Sequence, residues 1–475
     1  FCSNFGKGKI IQIQRRKMLV PNGAKVWDGN GWNALVDDES LPKPYPPKTN
    51  SHNDDSTLIF IGVSAFRDKR CPKTLFSYFS KAKFPERVRV GLVQQNANED
   101  VDCVKEYCKL IQKEKNSMQC LYEDQIKVTR IDARLASGPC FGRHLQGYML
   151  RDEEFCMQTD SHMDVVPEWD VEMLQMWGRA NNEYGILSTY VHRKESILTL
   201  ENAKDKSAYV PHLCQVKFTD ALKPRYVQAK LAYNLKAPKL TTAWAAGFSF
   251  AKCHAWKAVP YDPKFLMIFD GEEFSMAAKL WTRGYDFYTP DISLIGHDYN
   301  KVEEGPSPHL WYNNHAKEDL GTKGTRRMKT LLRMIGFTQP EDLQNLGKYD
   351  LGDRRTYEQY QNFVGFNVTN LEITTNRCLS IAWVPFKEEW PPTENNLAGP
   401  YWSRVLSNQI KEDGPKVDFV LESVAKSNLL DFHHTEESMY KEVFVFVTIL
   451  LLAILVGVRM QRRKREKVKD GNDNV

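Results

Sequence analysis

The sequence lacks several motifs that would assign it to a familiar class of enzyme. No GxGxxG or GxxxxGK[ST] segment follows the first predicted strand, which argues against a dinucleotide-dependent enzyme and a P-loop NTPase. No HExxH segment and no dense carboxylate cluster is present, which argues against a metallohydrolase. The ten cysteines include no CxxC pair, so a zinc ribbon is not indicated. No internal repeat is found, so the chemistry must come from another arrangement of residues.

A distributed excess of basic charge is also missing. The formal net charge is +5, but the segment Arg459–Val475 holds seven Lys and Arg against three Asp and Glu, so it supplies +4 by itself (7 − 3). The rest of the chain is close to neutral, and the net charge therefore does not indicate nucleic-acid binding. With 475 residues, 42% hydrophobic and 26% charged, the chain is typical of a globular protein with one large or two modest domains.

Long apolar runs are absent except for one near the carboxyl end. Val443–Val458 carries no charged residue. At ~1.5 Å per residue it spans roughly 24 Å, and Met439, Tyr440 and the arginines that follow it can extend it to the ~30 Å of a bilayer core. We predict a single transmembrane helix over 441–459, with a buried core helix or an amphipathic tail as the alternatives. The positive-inside rule then places the basic tail 460–475 in the cytoplasm.

That topology predicts a main domain that faces a lumen or the outside, with a cytoplasm-facing domain as the alternative. The cysteines are compatible with disulfide bonds in a luminal domain, although their pairing does not follow from the sequence. Asn367–Thr369, NVT, is a single N-glycosylation sequon. Since the chain begins with Phe1, we interpret 1–56 as an extension or linker that starts within a longer or processed protein.

Apolar runs of strand length alternate with amphipathic helical segments beyond residue 56. The predicted strands are 57–66, 87–95, 126–133 and 154–160, and the predicted helices are 72–83, 101–111 and 142–150. This alternation predicts an α/β fold with a doubly wound, mostly parallel sheet. Ligands bind beyond the carboxyl ends of the strands in such sheets.

Two candidate metal ligands follow the fourth predicted strand. The segment FCMQTDSHMDVVPEW (155–169) presents Asp160 and His162 two positions apart, and extended residues at that spacing point the same way. His297 ends another apolar segment, ISLIGH. One carboxylate and two imidazoles suit Mn²⁺ or a similar divalent ion. Because DxH is a weak pattern, a capped strand end with an incidental histidine is the alternative.

A predicted helix at 271–283 supplies two further acidic candidates. Asp270 is placed to cap it, and Glu272 and Glu273 in its first turn complement the positive end of the helix dipole. Gly284 is placed to end it. Helical spacing predicts a buried face made of Phe274, Ala277, Ala278 and Trp281.

Several of these segments together resemble one known family. GPCFGRHLQGYMLRDEEFCMQTDSHM (138–163), GEEFSMAAKLWTRGYDFYTP (271–290) and DLGDRRTYEQYQNFVGF (350–366) resemble the UDP-GlcNAc:polypeptide α-N-acetylglucosaminyltransferases, which are relatives of the mucin-type polypeptide GalNAc-transferases. FIGVSAFRD (60–68) resembles the first nucleotide-binding strand of that group. The resemblance covers roughly residues 57–380. The family includes Golgi enzymes, so the resemblance and the predicted membrane span together imply a luminal domain in the Golgi or elsewhere in the secretory pathway.

The resemblance implies a GT-A glycosyltransferase fold, which is Rossmann-like, and a nucleotide-sugar donor used with Mn²⁺ or another divalent cation. Asp160 and His162 then hold the metal, and His297 resembles the third ligand of the GalNAc-transferase relatives. Such a metal neutralises the charge that develops on a nucleoside diphosphate leaving group.

The same resemblance implies donor-binding residues. Ser64, Phe66 and Arg67 match the region where uridine lies. Arg143 resembles an arginine close to the donor, with a helix-surface arginine as the alternative. Gly247 resembles the segment that passes the sugar, where a missing side chain allows close approach of the backbone.

The catalytic candidates are Glu272 and Glu273, one of which binds sugar hydroxyls or orients the acceptor; the sequence does not choose between them. The relatives retain anomeric configuration, but no nucleophilic carboxylate is identified, so that mechanism is left open. Residues 381–440 match nothing assignable and are interpreted as a stalk or an acceptor-binding extension.

The predicted activity is metal-dependent transfer of GlcNAc from UDP-GlcNAc to a threonine, serine or hydroxyproline hydroxyl of a protein. One alternative transfers another UDP-sugar to a glycan. The other is a non-enzymatic lectin or receptor built on a degenerate transferase domain. The presence of Asp160, His162, His297 and the two glutamates argues against it.

Overall fold

The structure is a computed structural model that describes only part of the chain. The described residues are 23–37, 50–197, 199–205, 208–300, 318–334, 336, 343, 345–381 and 383–384. The predicted transmembrane helix 441–459 and the basic tail 460–475 lie outside them, as does nearly all of the predicted extension 381–440. No helix within the described ranges has the length and apolarity needed to cross a bilayer.

The centre of the fold is an eight-stranded sheet. Its strands in chain order are β4 (Ile59–Phe66), β5 (Val88–Asn96), β6 (Ile126–Asp132), β7 (Phe155–Asp160), β9 (Gly185–Ser188), β15 (Lys239–Thr241), β16 (Phe248–Lys252) and β17 (Asp286–Thr289). Across the sheet the strands lie in the order β15-β17-β9-β16-β7-β4-β5-β6. Strands β4 to β7 pair in parallel, as do β9 and β17. The prediction of a mostly parallel sheet is confirmed.

Two strands of this sheet run against the others. β16 is antiparallel to both of its neighbours, β7 and β9, and β15 is antiparallel to β17. The alternation of strands and helices did not predict this reversal. Its consequence is that the chain just before β16, at Ala246 and Gly247, lies beside the carboxyl end of β7, because Phe248 pairs with Thr159.

Small sheets surround the central one. β8 (Met163–Val165), β10 (His192–Arg193) and β18 (Ile295–His297) form a three-stranded sheet. A four-stranded sheet contains β1 (Lys25–Trp27), β2 (Trp32–Ala34), β11 (Val210–His212) and β14 (Lys230–Tyr233). The remaining pairs are β3 (Val36–Asp37) with β21 (Ser380–Ile381), β12 (Val216–Phe218) with β13 (Pro224–Tyr226), and β19 (Phe366–Asn367) with β20 (Glu372–Ile373).

Nine helices are described; the first three and the seventh were predicted from the apolar pattern, with shifted ends, and the other five were not. They are α1 (Cys71–Ser80), α2 (Cys103–Lys115), α3 (Pro139–Gln146), α4 (Trp169–Arg179), α5 (Leu200–Lys204), α6 (His254–Ala258), α7 (Glu272–Thr282), α8 (Glu318–Leu331) and α9 (Tyr357–Val364). Asp102 caps α2 through the N–H groups of Val104 and Lys105, so Val101 precedes the helix. α3 begins earlier than predicted because Pro139 suits a first turn.

Helix α7 carries the two acidic candidates, and its buried face was predicted correctly. Phe274, Ala277, Ala278 and Trp281 are fully buried. The predicted capping role of Asp270 is wrong, because Gly271, with φ at +96°, occupies the cap position without a side-chain hydrogen bond. The carboxylate of Asp270 instead lies 3.6 Å from the guanidinium of Arg225. Gly284 follows the helix with φ at +101°, as its place in the sequence suggested.

The described part of the chain contains four disulfide bonds, three of which join cysteines at least 32 residues apart. They are Cys71–Cys103, Cys108–Cys120, Cys156–Cys253 and Cys214–Cys378. The first links the start of α1 to the start of α2, and the third links β7 to the end of β16. Among the described cysteines, Cys140 is a free, buried thiol. Disulfides of this density are typical of proteins that fold in an oxidising compartment.

Candidate metal and donor site

The three predicted metal ligands lie on two segments that the small sheet brings together. β7 ends at Asp160, and a short turn through His162 leads into β8. β18 pairs with β8 in antiparallel register, which places His297 opposite Met163. The hydroxyl of Thr74 on α1 donates to the carbonyl oxygen of Ser161 over 2.9 Å and so supports the turn. The site therefore lies at the carboxyl end of β7, where a parallel sheet is expected to bind ligands.

The ligand atoms of Asp160, His162 and His297 are close enough to hold one ion. One ligand atom from each residue lies within 4.8 Å of the others. Asp160 Oδ2 is 3.7 Å from His297 Nε2, and the two imidazole rings are 4.4 Å apart and nearly perpendicular. A carboxylate and two imidazoles in this arrangement form a donor set for a divalent transition-metal ion.

The protonation states of two of these residues also suit a metal. Burial, with a smaller contribution from the neighbouring His162, lowers the pKa of His297 to about 4, so the ring is neutral at neutral pH. Its buried Nδ1 atom has no hydrogen-bond partner. Burial favours the protonated form of Asp160, but Arg143 and the two histidines outweigh it and hold the pKa of Asp160 below its usual value. Metals bind neutral imidazole and ionised carboxylate.

Arg143 lies between two carboxylates. Its Nη2 donates to Asp160 Oδ1 over 2.9 Å, and its Nη1 donates to Glu272 Oε1. The residue is 8% exposed, so the alternative of a helix-surface arginine is wrong. Burial disfavours the charged form, but Glu272, Asp160 and other nearby groups raise the pKa of Arg143 above its ordinary value. The guanidinium therefore keeps a fixed positive charge beside Asp160, one of the candidate metal ligands.

Glu272 faces the interior of the protein. It is 2% exposed, and besides Arg143 it accepts a hydrogen bond from the hydroxyl of Tyr261 over 2.9 Å. The amide of Gln158 on β7 donates to the same hydroxyl over 2.9 Å. These bonds connect Glu272 to the centre of the sheet and leave it enclosed by protein groups.

Glu273 is only half-buried and has a different set of partners. Its Oε1 accepts from the N–H group of Ala246 over 2.9 Å, and its Oε2 accepts from the hydroxyl of Tyr190. Burial raises the pKa of Glu273 to about 7, against the hydrogen bonds from Tyr190 and Ala246, which lower it. A partly exposed carboxyl group with a pKa near 7 is suited to accept a proton from, or hydrogen-bond, a sugar or acceptor hydroxyl.

Gly247 lies directly against Asp160, one of the three candidate metal ligands. A Cβ atom at this position would be 2.8 Å from Asp160 Oδ2, which is too close for an ordinary contact. The family resemblance implied that the backbone at Gly247 comes close to another group, and in the structure it lies close to the carboxylate of Asp160. Its predicted place beside the donor sugar stays a prediction.

Two of the predicted uridine-binding residues lie along β4. Ser64 pairs with Asp160 across the β4–β7 ladder and packs against Gly142 of α3. Phe66 is half-buried at the carboxyl end of the same strand. Both therefore border the end of β7 on the side away from Gly247.

The third predicted uridine-binding residue, Arg67, is engaged elsewhere. Its Nε atom lies 2.6 Å from Asp100 and one Nη atom lies 2.7 Å from Glu99, both in the loop after β5. The arginine thus ties two loops together at the edge of the site. A role in binding uridine stays a prediction for all three residues.

Sequence reasoning missed one acidic residue at the site. Asp68, in the loop after β4, accepts a hydrogen bond from His162 Nδ1 over 2.6 Å. In the sequence, Asp68 is the last residue of FIGVSAFRD (60–68). It lies just beyond the end of a central strand, where parallel sheets bind ligands, and that position could have identified it as a candidate.

Comparison with solved structures finds distant likenesses. GalNAc-T7, crystallised with UDP, GalNAc and Mn²⁺, is 12% identical over 64% of this chain and 56% of its own, with a TM-score of 0.42. The mannosyltransferase PcManGT from Pyrobaculum calidifontis, in complex with GDP-Man and Mn²⁺, is 11% identical over 62% and 65%, with a TM-score of 0.30. TarS from S. aureus is 10% identical over 62% and 43%, with a TM-score of 0.34.

The matched part is less than two thirds of each of these three chains, and the TM-scores are below 0.5, so no statement about activity follows from them. No curated protein matches the chain.

The comparison with family models, by contrast, assigns the family. A family described as glycosyltransferase (GlcNAc) matches residues 58–114 and 106–370, which include the central sheet, the three candidate ligands and both glutamates of α7. Since these residues make up more than half of the sequence, the chain belongs to the glycosyltransferase (GlcNAc) family.

Proposed function

We propose that this protein is a GT-A-type transferase that moves GlcNAc from UDP-GlcNAc to a hydroxyl group of a protein, using a divalent cation. The observation that carries the proposal is the convergence of Asp160, His162 and His297 at the carboxyl end of β7, in a member of a glycosyltransferase family. Their donor set fits Mn²⁺, since one ligand is a carboxylate and open positions are left for phosphate oxygens and water.

The proposed reaction exchanges one bond of the sugar for another. The bond between the anomeric carbon of GlcNAc and the β-phosphate oxygen of UDP breaks, and UDP leaves with the electron pair. The oxygen of the acceptor hydroxyl bonds to that carbon, and its proton passes to the Glu273 carboxylate or to a phosphate oxygen of the departing UDP. When bound, the cation neutralises the charge that develops on the diphosphate. The stereochemical course is not assigned.

The protein groups around the cation site have separate tasks in this proposal. Arg143 keeps Asp160 ionised and oriented, and Glu272 holds Arg143 from the other side. Glu273, the more accessible of the two glutamates, contacts a hydroxyl of the sugar or the acceptor. It also anchors the Ala246–Gly247 backbone beside Asp160 through its bond to the N–H group of Ala246.

The acceptor is proposed to be threonine, serine or hydroxyproline in a protein. Transfer of another UDP-sugar to a glycan uses the same cation chemistry and is an outcome that the test below distinguishes. The non-enzymatic alternative requires a site that has lost its cation ligands, and the three residues and their supporting bonds are present.

The test measures release of UDP by the full-length chain in detergent. The substrates are UDP-GlcNAc and UDP-GalNAc, each assayed with Mn²⁺ and with a chelator. We expect slow hydrolysis of UDP-GlcNAc that requires Mn²⁺ and accelerates with threonine or hydroxyproline peptides. Mn²⁺-dependent turnover of UDP-GalNAc alone would contradict the donor. The absence of both turnover and Mn²⁺-dependent UDP binding would refute the enzyme.

We further propose that the catalytic domain lies in the secretory pathway and that 441–459 anchors it in the membrane. Four disulfide bonds support an oxidising compartment. The sequon lies on the β19–β20 hairpin, where Asn367 is half-buried and Thr369 is exposed. Asn367 Oδ1 accepts from the N–H groups of Thr369 and Asn370.

The expected outcome is an N-linked glycan on Asn367 of the protein made in its own host. Digestion with an N-glycosidase should increase its electrophoretic mobility, and Asn367→Gln and Thr369→Ala should each remove that shift. Titration of thiols under denaturing, non-reducing conditions should find the eight paired cysteines blocked. An unshifted protein with all its thiols free would show that the domain faces the cytoplasm.

A further inference from the structure

Asp68 connects the metal-ligand candidates to the loop that follows β4. Its side chain is 8% exposed. Its Oδ2 atom accepts hydrogen bonds from His162 Nδ1 over 2.6 Å and from the hydroxyl of Ser161 over 2.7 Å. Asp68 thus binds two successive residues of the turn that follows Asp160, although it lies 94 residues from His162 in the sequence.

This contact defines which nitrogen of His162 is available to an ion. A carboxylate is an acceptor only, so the nitrogen that it faces must carry the proton. Arg70 Nε donates to Asp68 Oδ1 over 3.0 Å and supports the ionised form of the carboxylate. In the neutral ring, the proton of His162 is therefore on Nδ1 and the lone pair is on Nε2. Metal-bound histidines typically donate their second ring nitrogen to a carboxylate in this way.

The same loop also contacts the segment that carries His297. Arg70 Nη1 donates to the carbonyl oxygen of Asp298 over 3.0 Å. The N–H group of Asp298 in turn donates to the carbonyl oxygen of His162 over 2.9 Å. A closed circuit of hydrogen bonds thus runs from Asp68 to His162, on to Asp298 and back through Arg70.

We propose that Asp68 is a positioning residue of the cation site, which holds His162 with Nε2 directed at the ion and, through Arg70, holds the His297 segment in place. The proposal rests on the proposed function, because it presumes that Asp160, His162 and His297 bind a cation. Asp68 itself contacts neither the donor nor the acceptor in this role.

A purely structural role for Asp68 predicts something different. Asp68 Oδ1 also accepts from the N–H group of Arg70 over 3.0 Å, so it helps to form the loop before α1. If that were its whole role, substitution would lower the melting temperature and leave the affinity for metal unchanged. A positioning role predicts weaker metal binding with little change in the melting temperature.

The test compares Mn²⁺ binding by the full-length protein with Asp68→Asn and with a matched control. Asparagine keeps the shape and one acceptor oxygen. The control is Asp164→Asn on β8, whose carboxylate accepts from Lys81 Nζ over 2.6 Å and from the hydroxyl of Ser77, both on the side of α1. Free Mn²⁺ is measured by electron paramagnetic resonance during titration, without nucleotide, and melting temperatures are measured in parallel.

We expect Asp68→Asn to weaken Mn²⁺ binding by about 10- to 100-fold, the usual cost of losing an outer partner of a metal ligand. Asp164→Asn should stay within about twofold of wild type, since the interactions that it weakens are a partly exposed ion pair with Lys81 and a hydrogen bond from Ser77, both to α1. At saturating Mn²⁺, the pulsed-resonance signal of coupled imidazole nitrogens should weaken in Asp68→Asn alone. Similar melting temperatures for the two variants would exclude general loosening of the β7–β8 turn as the cause.

The outcomes separate this inference from the proposed function. Wild-type affinity in Asp68→Asn would overturn the positioning role and leave the cation site intact. Equal weakening in both variants would also overturn it, because the effect would not be specific to the carboxylate that contacts His162. If the wild-type protein binds no Mn²⁺ at all, the proposed cation site fails, and the role of Asp68 fails with it.

Discussion

His162→Ala is expected to abolish sugar transfer while the protein still folds. The imidazole supplies one of three protein ligands to the proposed cation, and its side chain is only partly buried at the edge of the sheet. Cation stabilisation of a departing diphosphate is worth several kcal/mol, and about 4 kcal/mol corresponds to roughly a 10³-fold loss of rate. The measurements are Mn²⁺-dependent release of UDP and the melting temperature.

His192→Ala is the matched control for this substitution. His192 lies on β10, in the same small sheet, and pairs with Gly296 beside His297. Its Nε2 contacts the carbonyl oxygen of Tyr209 rather than any ligand candidate. The control should retain Mn²⁺ binding and most of the activity. Unchanged activity in His162→Ala would remove the cation site from the mechanism.

Glu273→Gln is expected to reduce the rate of transfer by about 10²- to 10⁴-fold, the range associated with a general acid or base. Glutamine has the same shape and can still bond to Ala246 and Tyr190, so the variant should fold. Because the pKa of Glu273 is raised to about 7, wild-type activity should rise with pH through that value as the carboxylate forms. The variant should lack this rise, which a pH profile of initial rates will show.

The same pKa gives a second, independent readout. The folded-state pKa of Glu273 lies above its unfolded value of 4.5, so its favourable contribution to stability is complete below pH 4.5. That contribution is lost as pH rises through about 7. Glu273→Gln should therefore decline less in stability between pH 5 and pH 8 than wild type, as measured by urea unfolding.

Glu272→Gln is the informative comparison for the neighbouring position. Removing one charge from a buried ion pair is destabilising, since Arg143 would lose one of its two carboxylates. We expect a lower melting temperature for Glu272→Gln and little change for Glu273→Gln. If Glu273→Gln keeps full activity and the rise near pH 7, Glu273 does not act on the substrate.

Several features of the fold follow from local pattern. The four strands that begin the sheet and the buried face of α7 were predicted because strand length, helical spacing and apolar content are properties of short segments. The placement of Asp160 and His162 at a strand end could be anticipated for the same reason. Their spacing by itself did not exclude an incidental histidine.

Tertiary structure alone decided how distant segments meet. Arg143 and Glu272 are 129 residues apart, and no local pattern indicated that one would bury its charge against the other. The reversed direction of β16, which brings Gly247 to Asp160, depends on pairing between strands rather than on their composition. The pairing of the cysteines depends on the same long-range geometry.

The sequence by itself thus determined the α/β class, the parallel core of the sheet and the short list of acidic and imidazole groups. The structure decided which of those groups face each other, separated the enclosed Glu272 from the more accessible Glu273, and revealed Asp68 behind His162. The physical reason is that periodicity records whether a residue is buried. Hydrogen bonds and ion pairs depend on the three-dimensional positions of both partners.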